Sequence, residues 1–289
     1  MRPVSSYCLI RSCLAGPLLL PMPALMFAPC PNDARGNLFL STTFVGLPLH
    51  TDPRYDQTSG NMLATCGNDS LVKVWDVATG NQQSVLRGSP GHVITSCDIG
   101  DSLVIGAGTD KTCRVWNLRT ERMVHQLVGH ASKITCARLF GGQKAVVTGS
   151  ADRSLKIWDV DRKTYRQTTT LRHGSTAYSV DAGLDSFTIV SGHMDGGVRF
   201  WDARTGDRTA DIAELHTDSV TSVQFNPRDQ RVVVTNGKDS CLKLVDLRTG
   251  VPIHTLRHAD FTTRCNWSAA AFSPDGTHPF VSKNNLFIG

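Results

Sequence analysis

The chain has 289 residues and a mass of 31.4 kDa, enough to bury a large core as one big domain or two small ones. Hydrophobic residues make up 40% and charged residues 19%, with a mean hydropathy of −0.15, which excludes a disordered chain and a multi-pass membrane protein. The net charge of +5 is too small and too evenly spread to call for nucleic acid as a partner.

Residues 1–57 differ from the rest and form a non-repeat leader. No acid precedes Asp33, and Pro17, Pro21 and Pro23 interrupt the apolar stretch from Leu14 to Ala28. A spanning helix needs about 20 uninterrupted apolar residues, so no membrane insertion is expected. Arg2 and Arg11 ahead of the apolar run fit a weak signal or transit peptide, whereas the prolines favour a disordered leader or a mistaken start of translation. Nine cysteines without a C-x-x-C pair suggest neither a disulfide framework nor a thiolate zinc site, and no cofactor is expected.

From about residue 58 the chain repeats. The segments from Asp69 to Trp75, Asp110 to Trp116, Asp152 to Trp158, Asp195 to Trp201 and Asp239 to Val245 share one pattern: Asp, two variable residues, apolar, Lys or Arg, apolar, Trp. Val245 is the departure. The Trp position advances by 41, 42, 43 and 44 residues. Apolar and polar residues alternate in each copy, as a β-strand requires. Four residues before the Asp stands a hydroxyl in four copies (Thr65, Thr148, Ser191, Thr235), with Gly106 in the other. Further upstream a histidine recurs, at His92, His130, His173 and His216.

A buried aspartate in a tight turn needs hydrogen-bond partners, and an imidazole bridging to a hydroxyl and an indole N–H would supply them. The structural residues expected of the blades are therefore His130, Thr148, Asp152 and Trp158 in the best copy. Asp69, Trp75, Asp110, Trp116, His173, Ser191, Asp195, Trp201, His216, Thr235 and Asp239 take the same places in the others. A hydroxyl, histidine and aspartate also invite a catalytic-triad reading. An active site needs one cleft with an exposed nucleophile and an oxyanion hole, while this set recurs in every copy, so no enzyme is expected. The recurring Lys73, Arg114, Lys156, Arg199 and Lys243 are expected to pack their stems between blades with the charged heads at the rim.

These features resemble the WD-repeat family, whose unit is one four-stranded blade of a propeller. The resemblance implies an all-β WD-repeat β-propeller over residues 58–289, with five recognisable blades plus a partial sixth. The sixth copy, from Ala271-Phe272-Ser-Pro-Asp275-Gly276, reaches neither a further Asp nor a Trp. The two ends lose the pattern abruptly, which points to a fragment of a longer protein. Alternatively, residues 36–57 improvise a strand that closes a six-bladed ring.

Departures from the common pattern narrow the resemblance. Ala64-Thr-Cys-Gly-Asn-Asp69, Ser191-Gly-His-Met194-Asp195 with Phe200-Trp-Asp202, and Cys241-Leu-Lys-Leu-Val-Asp-Leu-Arg248 occur in the order seen in the C-terminal propeller of the autophagy-related protein 16 family. That resemblance implies a protein-protein interaction scaffold of the machinery that lipidates a ubiquitin-like protein during autophagosome assembly. It further implies a cytoplasmic location with recruitment to autophagosomal membranes. In that family an N-terminal helix binds autophagy-related protein 5, and a coiled coil dimerises; no heptad run precedes the repeats here. The autophagy-related protein 5/12 conjugate is thus an implied partner if that missing N-terminal part exists. An alternative reading takes Trp201-Asp202-Ala-Arg204 as the W-D-x-R box of WD-repeat substrate receptors of cullin-type ubiquitin ligases, with Asp202 and Arg204 meeting the adaptor. Phosphoinositide binding is not expected, since the chain has no Arg-Arg pair. The residues just before each blade aspartate, Asn68, Thr109, Ala151, Met194 and Lys238, vary in kind and are the candidate partner-binding positions.

Overall fold

A computed structural model describes residues 54–55, 62–77, 79–161, 165–185, 187–257, 263, 268–272, 276–283 and 286–288. The chain divides into two compact units, Met1–Leu47 and Pro48–Gly289, and every described residue belongs to the second. Most of the leader therefore lies outside the described residues.

Five antiparallel four-stranded sheets follow one another, each a simple meander, and a sixth sheet has three strands. They span residues 54–87, 94–128, 134–172, 177–212, 220–256 and 270–288 and are called blades 1 to 6. Blade 1 begins earlier than the expected boundary at residue 57. Arg54 and Tyr55 pair with Ala64 and Leu63 as its first strand. A two-residue strand is too short to show alternation, so the sequence pattern misses it.

The second strand of each blade is buried on both faces, as in Leu103–Gly108, Ala145–Ser150, Thr188–His193 and Val232–Gly237. That accounts for their continuous apolar and small residues. The third strands carry the Asp-to-Trp pattern, but their polar positions are less exposed than simple alternation predicts: Arg114 and Arg199 are both buried. Neighbouring blades cover both faces of these strands. Their pairing with the fourth strand shifts register at the Trp position in all five blades, including at Val245. The bulge therefore belongs to the blade rather than to the indole.

The core is a series of seams between blades. Each of the first four seams packs the Trp of one blade, or Val245, against apolar residues of the blade before it. Trp116 thus meets Val72 and Val74, Trp158 meets Ile105 and Val115, and Trp201 meets Val147 and Leu155. First strands of successive blades do not pair as a sheet, so side chains bridge them. Asp98 accepts from Leu139 N at 2.8 Å, Asp181 from Phe225 N at 2.9 Å, and Gln224 Oε1 from Phe272 N at 2.8 Å. One turn along, the hydroxyls of Ser96, Ser179 and Ser222 each accept from the amide of Ala137, Val223 or Ala270 at 3.1 Å. Each such bond satisfies a buried amide that would otherwise cost about 1–3 kcal/mol.

Gly106 marks where seam packing overrides the repeat. A Cβ at this position would lie 2.8 Å from Val72 Cγ2 and 3.1 Å from Trp116 Cζ3. Restoring the pattern with Gly106→Ser is expected to destabilise the protein by about 1–3 kcal/mol through overpacking, read from urea unfolding midpoints. Unchanged stability would show that the seam can expand.

Candidate functional site

The most regular feature of the molecule is the turn between the second and third strands of each blade. The residue after each aspartate is left-handed: Ser70, Lys111, Arg153, Gly196 and Ser240 have φ of 63°, 64°, 65°, 78° and 59°. Four of these are not glycine, so the conformation has to be held. In blades 1 to 5 the aspartate Oδ1 accepts the amide two residues on, from Leu71, Thr112, Ser154, Gly197 or Cys241, at 3.0–3.2 Å. The carboxylate clamps the turn across the left-handed residue.

That carboxylate is satisfied in two ways, by a hydrogen bond from a neutral imidazole or by a cation. In blades 3 and 5 a histidine does it. His130 Nδ1 lies 2.8 Å from Asp152 Oδ2 and Nε2 lies 2.7 Å from Thr148 Oγ1, which is 2.9 Å from Trp158 Nε1. An indole can only donate and a carboxylate can only accept, so the protons are ordered: Trp158 donates to Thr148, Thr148 to His130, and His130 to Asp152. This order requires a neutral imidazole, and burial holds the His130 pKa below the usual histidine value despite Asp152. Burial opposes ionisation of Asp152 as well, but hydrogen bonds from Ser154, His130 and the Ala131 amide hold its carboxyl at about 2. His216 repeats the arrangement with Asp239 at 3.0 Å and Thr235 at 2.9 Å; Val245 removes the indole.

In blades 1, 2 and 4 the basic residue four positions on takes the histidine's place. Lys73 meets Asp69 at 2.7 Å, Arg114 meets Asp110 at 2.6 Å, and Arg199 meets Asp195 at 2.7 Å. In blades 3 and 5, where a histidine serves, the corresponding lysines turn elsewhere: Lys156 to Gln167 and Thr170, and Lys243 to the Leu215 carbonyl. The recurring cations are thus alternative partners of the clamp, a role that the rim-packing expectation missed. His92 is exposed and meets its turn only through the backbone, its carbonyl accepting from the hydroxyl of the left-handed Ser70 at 2.6 Å.

His173 corrects a second expectation. It does not reach Asp195, and neither of its ring nitrogens has a hydrogen-bond partner among the described residues. Instead His193, in the second strand itself, places Nε2 2.8 Å from Ser191 Oγ, which accepts from Trp201 Nε1 at 2.8 Å. A histidine two residues along the strand is already beside the hydroxyl, so the loop histidine is displaced against its ring, with centroids 4.3 Å apart. Burial pushes the His173 pKa down to about 4 and that of His193 to about 3.

The hydroxyls of Thr148, Ser191 and Thr235 are fully buried and engaged, so none is presented to a substrate. Among the described residues no group of three or more metal-ligating side chains occurs.

What the clamp does present is the residue just ahead of it. The backbone amides of Thr109, Ala151, Met194 and Lys238 are each tied to a carbonyl of the loop leading into the same blade, at 2.9–3.1 Å. The Thr109 hydroxyl is engaged as well, accepting from the Val93 amide at 3.0 Å, while Ala151, Met194 and Lys238 differ in kind on the same support. Met194 is 56% exposed; Asn68 is exposed, and Thr109, Ala151 and Lys238 are half-buried. At the opposite end of blade 4, Arg204 pairs with Asp202 at 2.9 Å and lies 4.7 Å from the centroid of the Phe187 ring.

Sheets of this kind in succession, clamped by one recurring turn and offering variable tips, define a β-propeller repeat protein. The family model described as WD domain, G-beta repeat matches residues 57–76, 80–117, 121–159, 165–202 and 212–246. The chain belongs to the WD40-repeat family. It is 36% identical over 220 residues to protein tipD of Dictyostelium discoideum, covering 76% of this chain and 36% of that protein. Autophagy-related protein 16 of Arabidopsis thaliana is 33% identical over 223 residues, covering 76% and 43%. Autophagic-related protein 16.2 of Caenorhabditis elegans is 33% identical over 237 residues, covering 80% and 43%. The chain thus spans about two fifths of the length of these curated relatives.

Thr148→Val keeps the shape but orphans the Trp158 indole and His130 Nε2, so a loss of about 2–4 kcal/mol is expected in urea unfolding. A change under about 0.5 kcal/mol would mean that the relay adds nothing to the clamp. His173 and His193 are neutral in the fold but titrate near 6.5 when exposed. Stability is therefore full above about pH 6.5 and falls as pH drops toward 4, since the unfolded chain takes up protons that the fold refuses. His173→Leu, which gives up no hydrogen bond, is expected to flatten this slope and to leave the protein at least as stable at about pH 5. Unfolding midpoints across that range check it, and an unchanged slope would place the linkage elsewhere.

Proposed function

We propose that this chain is the partner-recruiting propeller of an autophagy-related protein 16-like scaffold, without enzymatic activity, in the complex that directs lipidation of a ubiquitin-like protein. The carrying observation is its 33% identity, across three quarters or more of the chain, to proteins named as autophagy-related protein 16 in a plant and a nematode. The fold agrees with this reading, because variable side chains on clamped turns offer a protein-binding face. No helix among the described residues is long and apolar enough to cross a membrane, so membrane association would come through partners. We place the chain in the cytoplasm on this reading, with recruitment to autophagosomal membranes.

The proposed contact face centres on the turn tips, above all Met194 and Lys238, joined by Asn68, Thr109 and Ala151. Met194 is the exposed apolar tip, and its neighbour Gly196 cannot carry a side chain because a Cβ there would collide with the His216 carbonyl. Asp202 and Arg204 already satisfy one another, and the adaptor-binding reading gains no support from that geometry.

Affinity purification of the tagged chain from cells is expected to recover protein partners of an autophagy-related protein 16-like scaffold, with the autophagy-related protein 5/12 conjugate among them where the family's N-terminal helix is joined to the propeller. The Met194→Asp, Lys238→Asp double variant should lower recovery about tenfold, equivalent to about 1.4 kcal/mol. Undiminished recovery would remove the turn tips from the contact. Recovery of a cullin adaptor that is lost with Arg204→Ala would replace the autophagy assignment altogether.

A further inference from the structure

Charge that is spread along the chain is gathered by the fold onto one end. At the clamped end of blades 2 and 3, Lys111, Lys133, Arg153 and Arg172 are exposed, and none of their side chains has an ion pair or hydrogen bond among the described residues. Three of the four surround a single turn. Arg153 is its left-handed residue, and its carbonyl accepts from His173 N at 3.2 Å. Arg172 pairs with Ser154, which closes the turn, and the Lys133 carbonyl accepts from the amide of Ala151, which opens it, at 3.1 Å. Lys111 is the left-handed residue of the neighbouring turn, a place held by Ser70, Gly196 and Ser240 in the other blades.

The acids of these two blades do not offset them. Asp110 is taken by Arg114; Asp152 bonds to the neutral His130, and its charge is matched by Lys156, which rests on Gln167 and Thr170. Six cations thus face two carboxylates across blades 2 and 3. Elsewhere on this end the signs match, apart from Arg87 in blade 1. Lys73 pairs with Asp69, and Asp195 and Asp211 share Arg199, with Arg208 also on Asp211. Around blade 5, Lys238, Lys243 and Arg257 stand against Glu214, Asp218 and Asp239.

We infer that this patch docks an acidic segment of a partner protein, a run of aspartates or glutamates laid across the turns of blades 2 and 3. The sign follows from the excess. The four exposed cations give up no internal contact on binding, and a guanidinium meets a carboxylate through two parallel hydrogen bonds. Arg153 starts from a backbone already fixed by the clamp, so less freedom is lost there. The class of partner follows from the extent of the patch. A bilayer would rest on the whole end, where blades 4 and 5 give it no excess and present the exposed Glu214 and Asp218. Nucleic acid calls for a long basic track or for rings on which bases stack, and the exposed rings of Tyr165 and Phe187 both lie at the opposite end. No two acids are adjacent anywhere in the chain, so neither residues 1–57 nor a second copy supplies the run. This docking needs neither Met194 and Lys238 nor the autophagy assignment.

Fluorescence anisotropy of a labelled Glu-Asp repeat peptide, titrated with the full chain, tests it. At about 0.15 M salt, where exposed charges more than about 8 Å apart are largely screened, the peptide is expected to bind. Arg153→Gln with Arg172→Gln should weaken it about tenfold or more, and Lys111→Gln with Lys133→Gln should do the same. Lys144→Gln with Arg166→Gln removes as much charge from the opposite end and should leave binding unchanged. All six side chains are exposed, so the variants are expected to fold, with the melting temperature as the check; if one clamped-end pair fails to fold, the other decides. Equal weakening by the opposite-end pair would reduce the effect to net charge and overturn the site, as would no binding at all. A single-stranded oligonucleotide or a phosphatidylserine vesicle that binds more tightly than the peptide, and is released by the same clamped-end pairs, would overturn the assignment to a protein segment.

Discussion

The clamped end of blades 1 to 5 depends on one carboxylate per blade holding a left-handed residue in place. A non-glycine residue in that conformation costs roughly 1–2 kcal/mol, and the aspartate Oδ1 offsets it by accepting the amide beyond. The hairpin then turns tightly enough for its second and third strands to stay in register to the end. An ionised group held this close to the core needs a counter-charge or donors. The molecule supplies them from two sources: a neutral histidine backed by a hydroxyl, or a lysine or arginine on the adjacent strand. Because either works, blades can lose the histidine without losing the turn.

The same arrangement separates the turn from the residue ahead of it. In blades 2 to 5 that residue is anchored through its backbone amide. It varies from Thr109 to Ala151, Met194 and Lys238 without altering the left-handed turn that follows. At the opposite end the seams are closed by ordinary apolar packing, so variation there acts through volume. Blade 4 contributes only Ala182 and Ala203 at this end, where blade 2 contributes Ile99 and Leu118, blade 3 Leu139 and Val160, and blade 5 Phe225 and Leu247.

Much of this was legible in the sequence. The constant six-residue step from Asp to Trp, recurring with a period near 42, gave the blade, its strand and its turn, because a repeat that stacks on itself must put the same residues in the same places. Asp152 with His130, Thr148 and Trp158 could be grouped for that reason. The grouping of His173 with Asp195 failed, because spacing along the chain says nothing of a competitor nearer in space, and His193 was nearer. The recurring lysines and arginines showed their regularity but not their purpose, since pairing with Asp69, Asp110 or Asp195 depends on whether a histidine has arrived first. The first strand of blade 1 was invisible for want of length.

The sequence by itself determined the family, the blade period and the identity of the clamping aspartate, since each is a local pattern repeated until chance is excluded. The tertiary structure alone decided how each carboxylate is balanced and where side chains bridge the unpaired first strands. It also decided that Gly106 must lack a side chain. These are contacts between residues about forty apart in the chain, and their outcome rests on which groups meet and what volume remains when they do.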